Sequence, residues 1–215
     1  MLVKPILRTA LMLALFAVVG TAGVAYIFAN AHVRIEQNEK EALLQKLSVL
    51  VPPAQYDNNL LADATEVTAK EQLGTSKPVT IYRARQKGQP VAAVFSPVVA
   101  PDGYSGAITL LIAVHYDGSL AGVRVISHHE TPGLGDPIDE SRSNWVFSFD
   151  KRSLGKPDAK DWKVKKDGGV FDQFTGATIT PRAVVKAVYN CLTYYAANRD
   201  TIFTSPPVVK KATPG

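Results

Sequence analysis

The hydrophobic and polar positions of this chain begin with a long apolar run near the N-terminus. Residues 9–31 carry no charged side chain and are mostly apolar. As an α-helix, this run is roughly 34 Å long, enough to cross the about 30 Å hydrocarbon core of a bilayer. Residues 32–50 are charged but keep apolar residues at helical spacing. The pattern predicts a transmembrane helix over 9–31, followed by a stalk helix and linker over 32–77.

Basic residues at the start of the chain predict the orientation of this helix. Lys4 and Arg8 precede the apolar run, and basic residues favour the cytoplasmic side. We therefore expect residues 1–8 in the cytoplasm and the chain beyond the helix outside it. A cleaved signal peptide is the alternative, because Ala29 to Ala31 resembles a cleavage site, although the run exceeds the about 7–15 apolar residues of a signal. Both alternatives place the rest of the chain in the same compartment, outside the cytoplasm.

From residue 78 the pattern becomes that of β-strands. Two apolar segments, 79–85 and 90–95, flank a turn and are expected to pair. The run 106–116 is almost continuously apolar, as in a strand that is covered on both faces. Residues 120–127 follow it after an Asp-Gly turn, which is a strong hairpin signal.

Helical segments are fewer than strands in this region. Residues 137–145 are expected to form a short helix and residues 162–164 a further strand, while 181–198 carry apolar side chains at helical spacing. Strands interrupted by few helices favour an α+β domain with a mainly antiparallel sheet, over 78–200. The remaining residues, 201–215, are interpreted as a Pro-rich tail.

Composition excludes several classes of function. The net charge is +5 with acidic and basic residues mixed along the chain, and no stripe of arginines and aromatic residues indicates nucleic-acid binding. The one cysteine, Cys191, cannot by itself form an intramolecular disulfide or hold an iron–sulfur cluster, and its helical position predicts a packed small side chain. No G-x-G-x-x-G follows a strand, so a Rossmann-type nicotinamide site is not expected.

The run DQFTGAT at residues 172–178 lies directly before a predicted helix. Its small residues allow a bulky group to approach the backbone, and Thr178 supplies a hydroxyl. Thr180 is expected to be the N-cap and Pro181 the first helical residue. A phosphate attached here would lie at the positive end of the helix, where Arg182 adds charge. The alternative is a polar loop with an ordinary N-cap.

A second polar run, HHETPGLGD at residues 128–136, follows the last predicted strand of the hairpin. Its proline makes the loop rigid and its glycines make it permissive, a common composition for a ligand-binding edge. Metal binding is not expected, because adjacent histidines on an extended chain point in opposite directions and no H-E-x-x-H frame is present. The alternative is a turn with two surface histidines.

The two runs, in this order behind one apolar helix, resemble the G subunit of the Rnf complex, a bacterial ion-translocating oxidoreductase. They also resemble the C subunit of the sodium-pumping NADH:quinone reductase. The segments that carry the resemblance are 102–106, 122–125, 130–135 and 175–178. In this family, D-x-x-[ST]-G-A-T is the signature of FMN joined through its phosphate to the last threonine. The compact length favours the Rnf subunit.

The resemblance implies a single-pass protein of the bacterial inner membrane with a periplasmic FMN-binding domain. Its flavin would transfer electrons inside a translocase that couples electron exchange between NADH and ferredoxin to ion transport, so the chain would not be catalytically complete alone. Implied partners are other membrane subunits that carry flavins and iron–sulfur clusters, and a transferase that installs the flavin from FAD with a divalent metal. The implied cofactor-binding residues are Thr178, as the phosphoester site, with Thr175, Gly176, Ala177, Asp172, Glu130, Thr131, Pro132, Gly133 and Leu134.

Two other functions stay open at this point. The same flavin-binding module occurs in membrane-anchored redox sensors or regulators, which usually carry further transmembrane segments or cytoplasmic cluster motifs. A structural subunit with an accidental Thr-Gly-Ala-Thr string is the third possibility. Flavin that remains on the denatured protein would separate the third function from the first two. Co-purification with other redox subunits would separate the first from the second.

Overall fold

The computed structural model describes residues 3–208, and describes residues 3–5, 27, 29–37, 39 and 40 only as helical backbone. The chain divides into two compact units between Lys46 and Leu47. The first unit is helical, and the second contains the sheet and both sequence runs singled out above.

Helix α1 (Val3–Leu50) forms the first unit and ends inside the second. Within the described residues, its segment Ile6–Tyr26 is the one long and apolar enough to cross a membrane. The side chains of that segment are exposed, which suits a helix surrounded by lipid. The segment overlaps the predicted span 9–31, and α1 continues without a break through the predicted stalk helix.

The described part of the second unit contains one five-stranded antiparallel sheet, in which each strand pairs with the next along the chain. Short connections favour this arrangement, since antiparallel neighbours need only a tight turn between them. Gly118, in the turn between the last two strands, has a φ of +88° that favours glycine. The predicted α+β fold with a mainly antiparallel sheet is confirmed. The strands are β1 (Ala64–Val67), β2 (Val79–Gln86), β3 (Gln89–Ala100), β4 (Ile108–His115) and β5 (Leu120–Ser127).

Two further α-helices belong to the described part of the second unit. Helix α2 (Lys70–Leu73) is a single turn between β1 and β2, and helix α3 (Ile179–Thr204) is the long helix near the C-terminus. The apolar side of α3 shares one core with the sheet, in which Ile112 and Val184 are fully buried. Cys191 is fully buried in the same core, which confirms the predicted packed side chain, and burial raises the pKa of its thiol.

Two predicted domain boundaries are wrong. The sheet starts before residue 78, because β1 pairs with β2 from Ala64 opposite Tyr82. The packed domain also extends past residue 200, since α3 continues to Thr204 with apolar residues buried in its last turns. Val208 then donates its backbone N–H to the Ala64 carbonyl at 2.7 Å. Of the predicted tail, only residues 209–215 lie outside the described residues.

Two predicted elements are replaced by turns. The expected helix at 137–145 is instead a pair of 3₁₀ turns, Asp136–Ile138 and Trp145–Phe149. The expected strand at 162–164 is reduced to an isolated bridge at Val164. The region between the 3₁₀ turns is rich in Asp, Ser and Asn, whose side chains bind nearby backbone groups and so compete with regular helix.

Candidate functional site

Two turns, one from each polar run, meet at one end of the sheet. In the first, Leu134 donates its N–H to the Thr131 carbonyl at 3.1 Å, with Pro132 and Gly133 at the centre. Gly133 has a φ of +77°, so this is a type II turn, in which proline suits the first central position and glycine the second. The predicted rigidity of the loop therefore has a defined backbone basis.

The second turn belongs to the run at 172–178. Ala177 donates its N–H to the Phe174 carbonyl at 3.1 Å, and Gly176, at the second central position, has a φ of +79°. A side chain at Gly176 would be strained at this φ. A Cβ built there would lie 3.6 Å from the Leu134 Cδ2 atom, so the two turns lie side by side.

Aromatic residues fix the second turn to the core. Trp145 donates its indole N–H to the Asp172 carbonyl at 2.7 Å, and its ring centroid lies 5.3 Å from that of Phe174. Trp145 in turn packs edge-on against Phe149, with ring centroids 5.3 Å apart. Buried aromatic pairs stabilise a structure beyond their area. The loop before Thr178 is therefore held at both its start and its turn.

Thr178 is the N-cap of α3, so the prediction of Thr180 as N-cap and Pro181 as first helical residue is wrong by two positions. The helix starts earlier because the turn at 174–177 delivers the chain in a helical conformation, with Thr178 at φ −75° and ψ −26°. The Thr178 side chain makes no capping hydrogen bond, and the residue is half-buried. Its hydroxyl is therefore available at the positive end of a helix whose first N–H groups lack intrahelical acceptors.

Thr180 has a different role from the one predicted. Its side chain is fully buried, and its hydroxyl donates a hydrogen bond to Oε2 of Glu130. Glu130 is itself 4 % exposed, and its Oε1 accepts the backbone N–H of Ser105 at 3.0 Å. The first polar run, the loop after β3 and the start of α3 are thus joined at one buried carboxylate.

A cleft with a cavity of about 200 Å³ lies between these segments. Six of the ten predicted cofactor-binding residues line it. Pro132 and Gly133 form the centre of the turn before Leu134 and do not line the cleft. Thr175 and Asp172 also lie outside the lining. Sequence reasoning missed four lining residues. The lining residues are Glu130, Thr131, Leu134, Gly176, Ala177 and Thr178 from the prediction, with Tyr104, Gly135, Ile179 and Thr180 in addition.

The mouth of the cleft is apolar. Tyr104 is 69 % exposed, and Leu134 and Ile179 are each 45 % exposed. Tyr104 belongs to the segment 102–106 that contributes to the family resemblance, so its position in the sequence offered a signal. Ile179 offered none, because it falls between the polar run and the predicted start of the helix.

Charged side chains in α3 and in the loop before it form ion pairs. Arg182 makes two hydrogen bonds to the Asp167 carboxylate, at 2.6 and 2.8 Å. These bonds lower the pKa of Asp167 and raise that of Arg182. Arg182 is therefore engaged with a carboxylate, and its contribution of charge at an attached phosphate stays a prediction. Asp172 pairs with Lys165 at 2.5 Å on the surface.

His128 has a structural role in the first polar run. His128 accepts the backbone N–H of Glu130 through Nδ1 at 3.1 Å. Among the side chains that the structure describes, no group of three or more His, Cys, Asp or Glu residues has the arrangement of a metal site. The loop is thus organised by backbone hydrogen bonds and the Glu130 carboxylate.

Comparison with known proteins matches both units. A family model described as FMN-binding domain matches residues 103–193, and a second, described as RnfG N-terminal region, matches residues 1–50. Proteins named as the G subunit of the ion-translocating oxidoreductase complex are similar along nearly the whole chain. One from Pseudoalteromonas atlantica is 48 % identical over 93 % of both chains. Others are from Pseudomonas aeruginosa, 49 % identical over 93 % of this chain and 92 % of the relative, and Shewanella baltica, 46 % identical over 94 % and 95 %.

Proposed function

We propose that FMN is attached covalently to Thr178 of this chain. The chain belongs to the G-subunit family of ion-translocating oxidoreductase complexes. The protein is a membrane-associated electron-transfer flavoprotein of such a complex. On this proposal the whole complex couples electron exchange between NADH and ferredoxin to ion transport. This chain supplies one redox centre, while other membrane subunits supply further flavins and iron–sulfur clusters.

The observation that carries the attachment proposal is the state of the Thr178 hydroxyl. It makes no capping hydrogen bond, and the residue lines the cleft at the start of α3. Phosphate groups are stabilised at such helix ends, because free N–H groups and the helix dipole favour negative charge. The residues present therefore fit a phosphoester at Thr178, with the rest of FMN against the apolar mouth formed by Tyr104, Leu134 and Ile179.

Attachment requires a second protein on this proposal. The Thr178 oxygen forms a bond to the flavin-side phosphorus of FAD, the pyrophosphate bond breaks, AMP leaves, and the hydroxyl proton passes to a base of the transferase. The divalent metal belongs to that transferase. Thr178 is thus a modification site and takes no part in turnover. Asp172, exposed beside the turn and paired with Lys165, lies where a transferase can contact it.

The small size of the cleft suits a flavin that exchanges electrons with a partner subunit. Its cavity of about 200 Å³ is smaller than the about 300–1,000 Å³ of ordinary ligand pockets. The cleft therefore holds part of FMN and leaves part at the surface, where a partner subunit can approach. Bound FMN supplies the electron chemistry, and the protein supplies position and surroundings.

An intact-mass measurement on the membrane-extracted chain tests the attachment. We expect the mass of the polypeptide plus FMN less one water, and flavin fluorescence that stays with the chain after denaturation. A chain purified from cells that contain a flavin transferase, yet with the bare polypeptide mass, would contradict the proposal.

We further propose a cytoplasmic N-terminus and a periplasmic FMN-binding domain, because Lys4 precedes the segment Ile6–Tyr26 and Arg8 lies in the first turn of that segment. Protease added to the outside of spheroplasts is expected to digest the second unit while the cells remain intact. A tag placed before residue 1 should survive the same treatment. Digestion of the domain only after lysis would reverse the assigned topology.

A redox sensor is the alternative function for a flavin-carrying chain. The three relatives given above are named as subunits of a complex, which favours the electron-transfer function. Gentle detergent extraction should therefore co-purify this chain with other membrane redox subunits. Isolation of the chain as a flavin-loaded monomer from the same membranes would favour the sensor.

A further inference from the structure

The buried carboxylate of Glu130 joins three segments that are distant in sequence. Its Oε1 accepts the Ser105 N–H at 3.0 Å in the loop after β3, and its Oε2 accepts the hydroxyl of Thr180 in the first turn of α3. Glu130 itself follows β5. Among the described residues, it forms no ion pair with a basic side chain. Its charge is therefore balanced by these hydrogen bonds and by the positive end of α3.

Two glycines allow the backbone to approach this carboxylate closely. A Cβ at Gly135 would lie 2.8 Å from both Cβ and Oε2 of Glu130 and 3.0 Å from the Thr180 hydroxyl oxygen. A Cβ at Gly103 would lie 3.0 Å from Oε1 and 2.2 Å from the Gly106 carbonyl oxygen. Such distances exclude a larger residue at either position without movement. The surroundings are thus packed around the glutamate and its two partners.

Because of the contact between Glu130 and Thr180, the hydroxyls of Thr178 and Thr180 differ, although both residues lie at the start of α3. Thr180 is fully buried and its hydroxyl is engaged, whereas Thr178, two residues earlier, makes no capping bond and lines the cleft. A small rotation of this first turn would move both hydroxyls. A misplacement of about 1 Å costs up to about a hundredfold in the rate of a positioned reaction.

We propose that Glu130 is a positioning residue for flavin attachment, which acts through Thr180 to hold the first turn of α3. In this arrangement the Thr178 hydroxyl is presented to the phosphate donor and the Thr180 hydroxyl is withheld from it. This inference rests on the proposed attachment at Thr178. It assigns Thr180 and Glu130 a joint function in loading, in addition to their place in the lining of the cleft.

The test is the loading rate of the purified full chain in detergent with a flavin transferase, FAD and Mg²⁺. Thr180→Val removes the hydroxyl with little change of shape, and Thr180→Ser restores a hydroxyl. Glu130→Gln keeps the size of the side chain but loses its charge and one acceptor. We expect Thr180→Val and Glu130→Gln to lower kcat for loading by about tenfold or more, with KM for the chain little changed. Thr180→Ser should load close to the wild-type rate.

A control variant separates positioning from stability. Asp136 is a buried carboxylate of the same loop that accepts the Gly133 N–H at 2.6 Å and lies outside the lining of the cleft. Asp136→Asn should therefore lower thermal stability without a comparable loss of kcat in the folded fraction. The folded fraction of every variant is measured by tryptophan fluorescence, because both tryptophans, Trp145 and Trp162, lie in the core of this unit.

The double variant Glu130→Gln with Thr180→Val gives the sharpest result. If the two residues act together, the double variant loads no more slowly than the slower single variant. Multiplied single effects would overturn the inference, as would wild-type kcat in Thr180→Val or losses that follow only the folded fraction. Failure of the wild-type chain to accept flavin at Thr178 would instead refute the proposed function.

Discussion

Thr178→Ala is expected to remove all covalently bound flavin while leaving the protein folded. The substitution deletes the one oxygen to which the flavin phosphate would be joined on our proposal. Stability should change by less than about 0.5 kcal/mol, because the half-buried Thr178 side chain faces the cleft and its loss breaks no buried contact of the kind that causes large losses. The usual cost of about 1 kcal/mol for replacing a threonine N-cap does not apply, because the Thr178 side chain makes no capping bond. Flavin fluorescence in a denaturing gel and the intact mass measure the result.

Two other threonine variants serve as controls for Thr178→Ala. Thr178→Ser keeps a hydroxyl at the N-cap and should retain covalent flavin, with slower loading because the missing methyl group changes its presentation. Thr193→Ala removes an exposed threonine of the same helix, whose hydroxyl donates to the Tyr189 carbonyl at 3.0 Å, and should load fully. Covalent flavin on the Thr178→Ala chain would mean that another residue is the attachment site.

Arg83→Met is expected to cause the largest loss of stability among the substitutions considered. Arg83 is 1 % exposed, forms an ion pair with Asp63, and donates to the carbonyls of Ile202 and Ser205 at 3.0 and 2.5 Å. These carbonyls lie at the C-terminal end of α3, where helical carbonyls lack intrahelical donors. Methionine has a similar length but leaves the carbonyls without this donor and weakens the charge balance of Asp63.

Removal of one partner of a buried ion pair typically costs about 3–5 kcal/mol. Because the Asp63 side chain is 21 % exposed and keeps its contact with Arg85, we expect the lower end of this range. A cost of about 3 kcal/mol corresponds to a Tm lower by roughly 6–12 °C for a domain of this size. Tryptophan fluorescence during heating of the detergent-extracted chain measures the change, since both tryptophans report on the same core. A Tm within a few degrees of wild type would show that the arginine contributes little net stability.

Arg85→Met is the matched comparison for Arg83→Met. Arg85 contacts the same carboxylate, with its Nε 2.7 Å from Asp63 Oδ2, and donates to the Phe203 carbonyl at 2.6 Å. Its side chain is 21 % exposed, so water compensates part of the loss. We expect Arg85→Met to lower the free energy of unfolding, and with it the Tm, clearly less than Arg83→Met does. Equal costs would mean that burial does not decide the strength of these contacts.

The sheet and the apolar helix were predictable because their signals are local. The run 106–116 is apolar enough to be a strand in any compact structure, and the Asp-Gly turn after it defines a hairpin by itself. The ends of the domain were not predictable in this way. β1 is a four-residue strand that is stable only through pairing with β2, and the last turns of α3 depend on arginines more than a hundred residues earlier.

The start of α3 shows the same limit at the scale of single residues. Thr180 followed by Pro181 is a good local signal for a helix start, yet the helix starts at Ile179. The turn at Gly176 and the buried contact of Thr180 with Glu130 outweigh that signal. Local capping preferences are worth only about 0.5–2 kcal/mol, and burial of a complete hydrogen-bonded network exceeds them.

The sequence by itself determined the class of fold, the apolar helix, the family resemblance and the two polar runs, because each depends on composition or spacing over a few adjacent residues. Only the tertiary structure brought the two runs together and placed Tyr104 and Ile179 at the mouth of one cleft. It also decided which threonine has an uncapped hydroxyl at the cleft and which is held by Glu130. Those features depend on contacts between residues far apart in the chain, and no local pattern specifies such contacts.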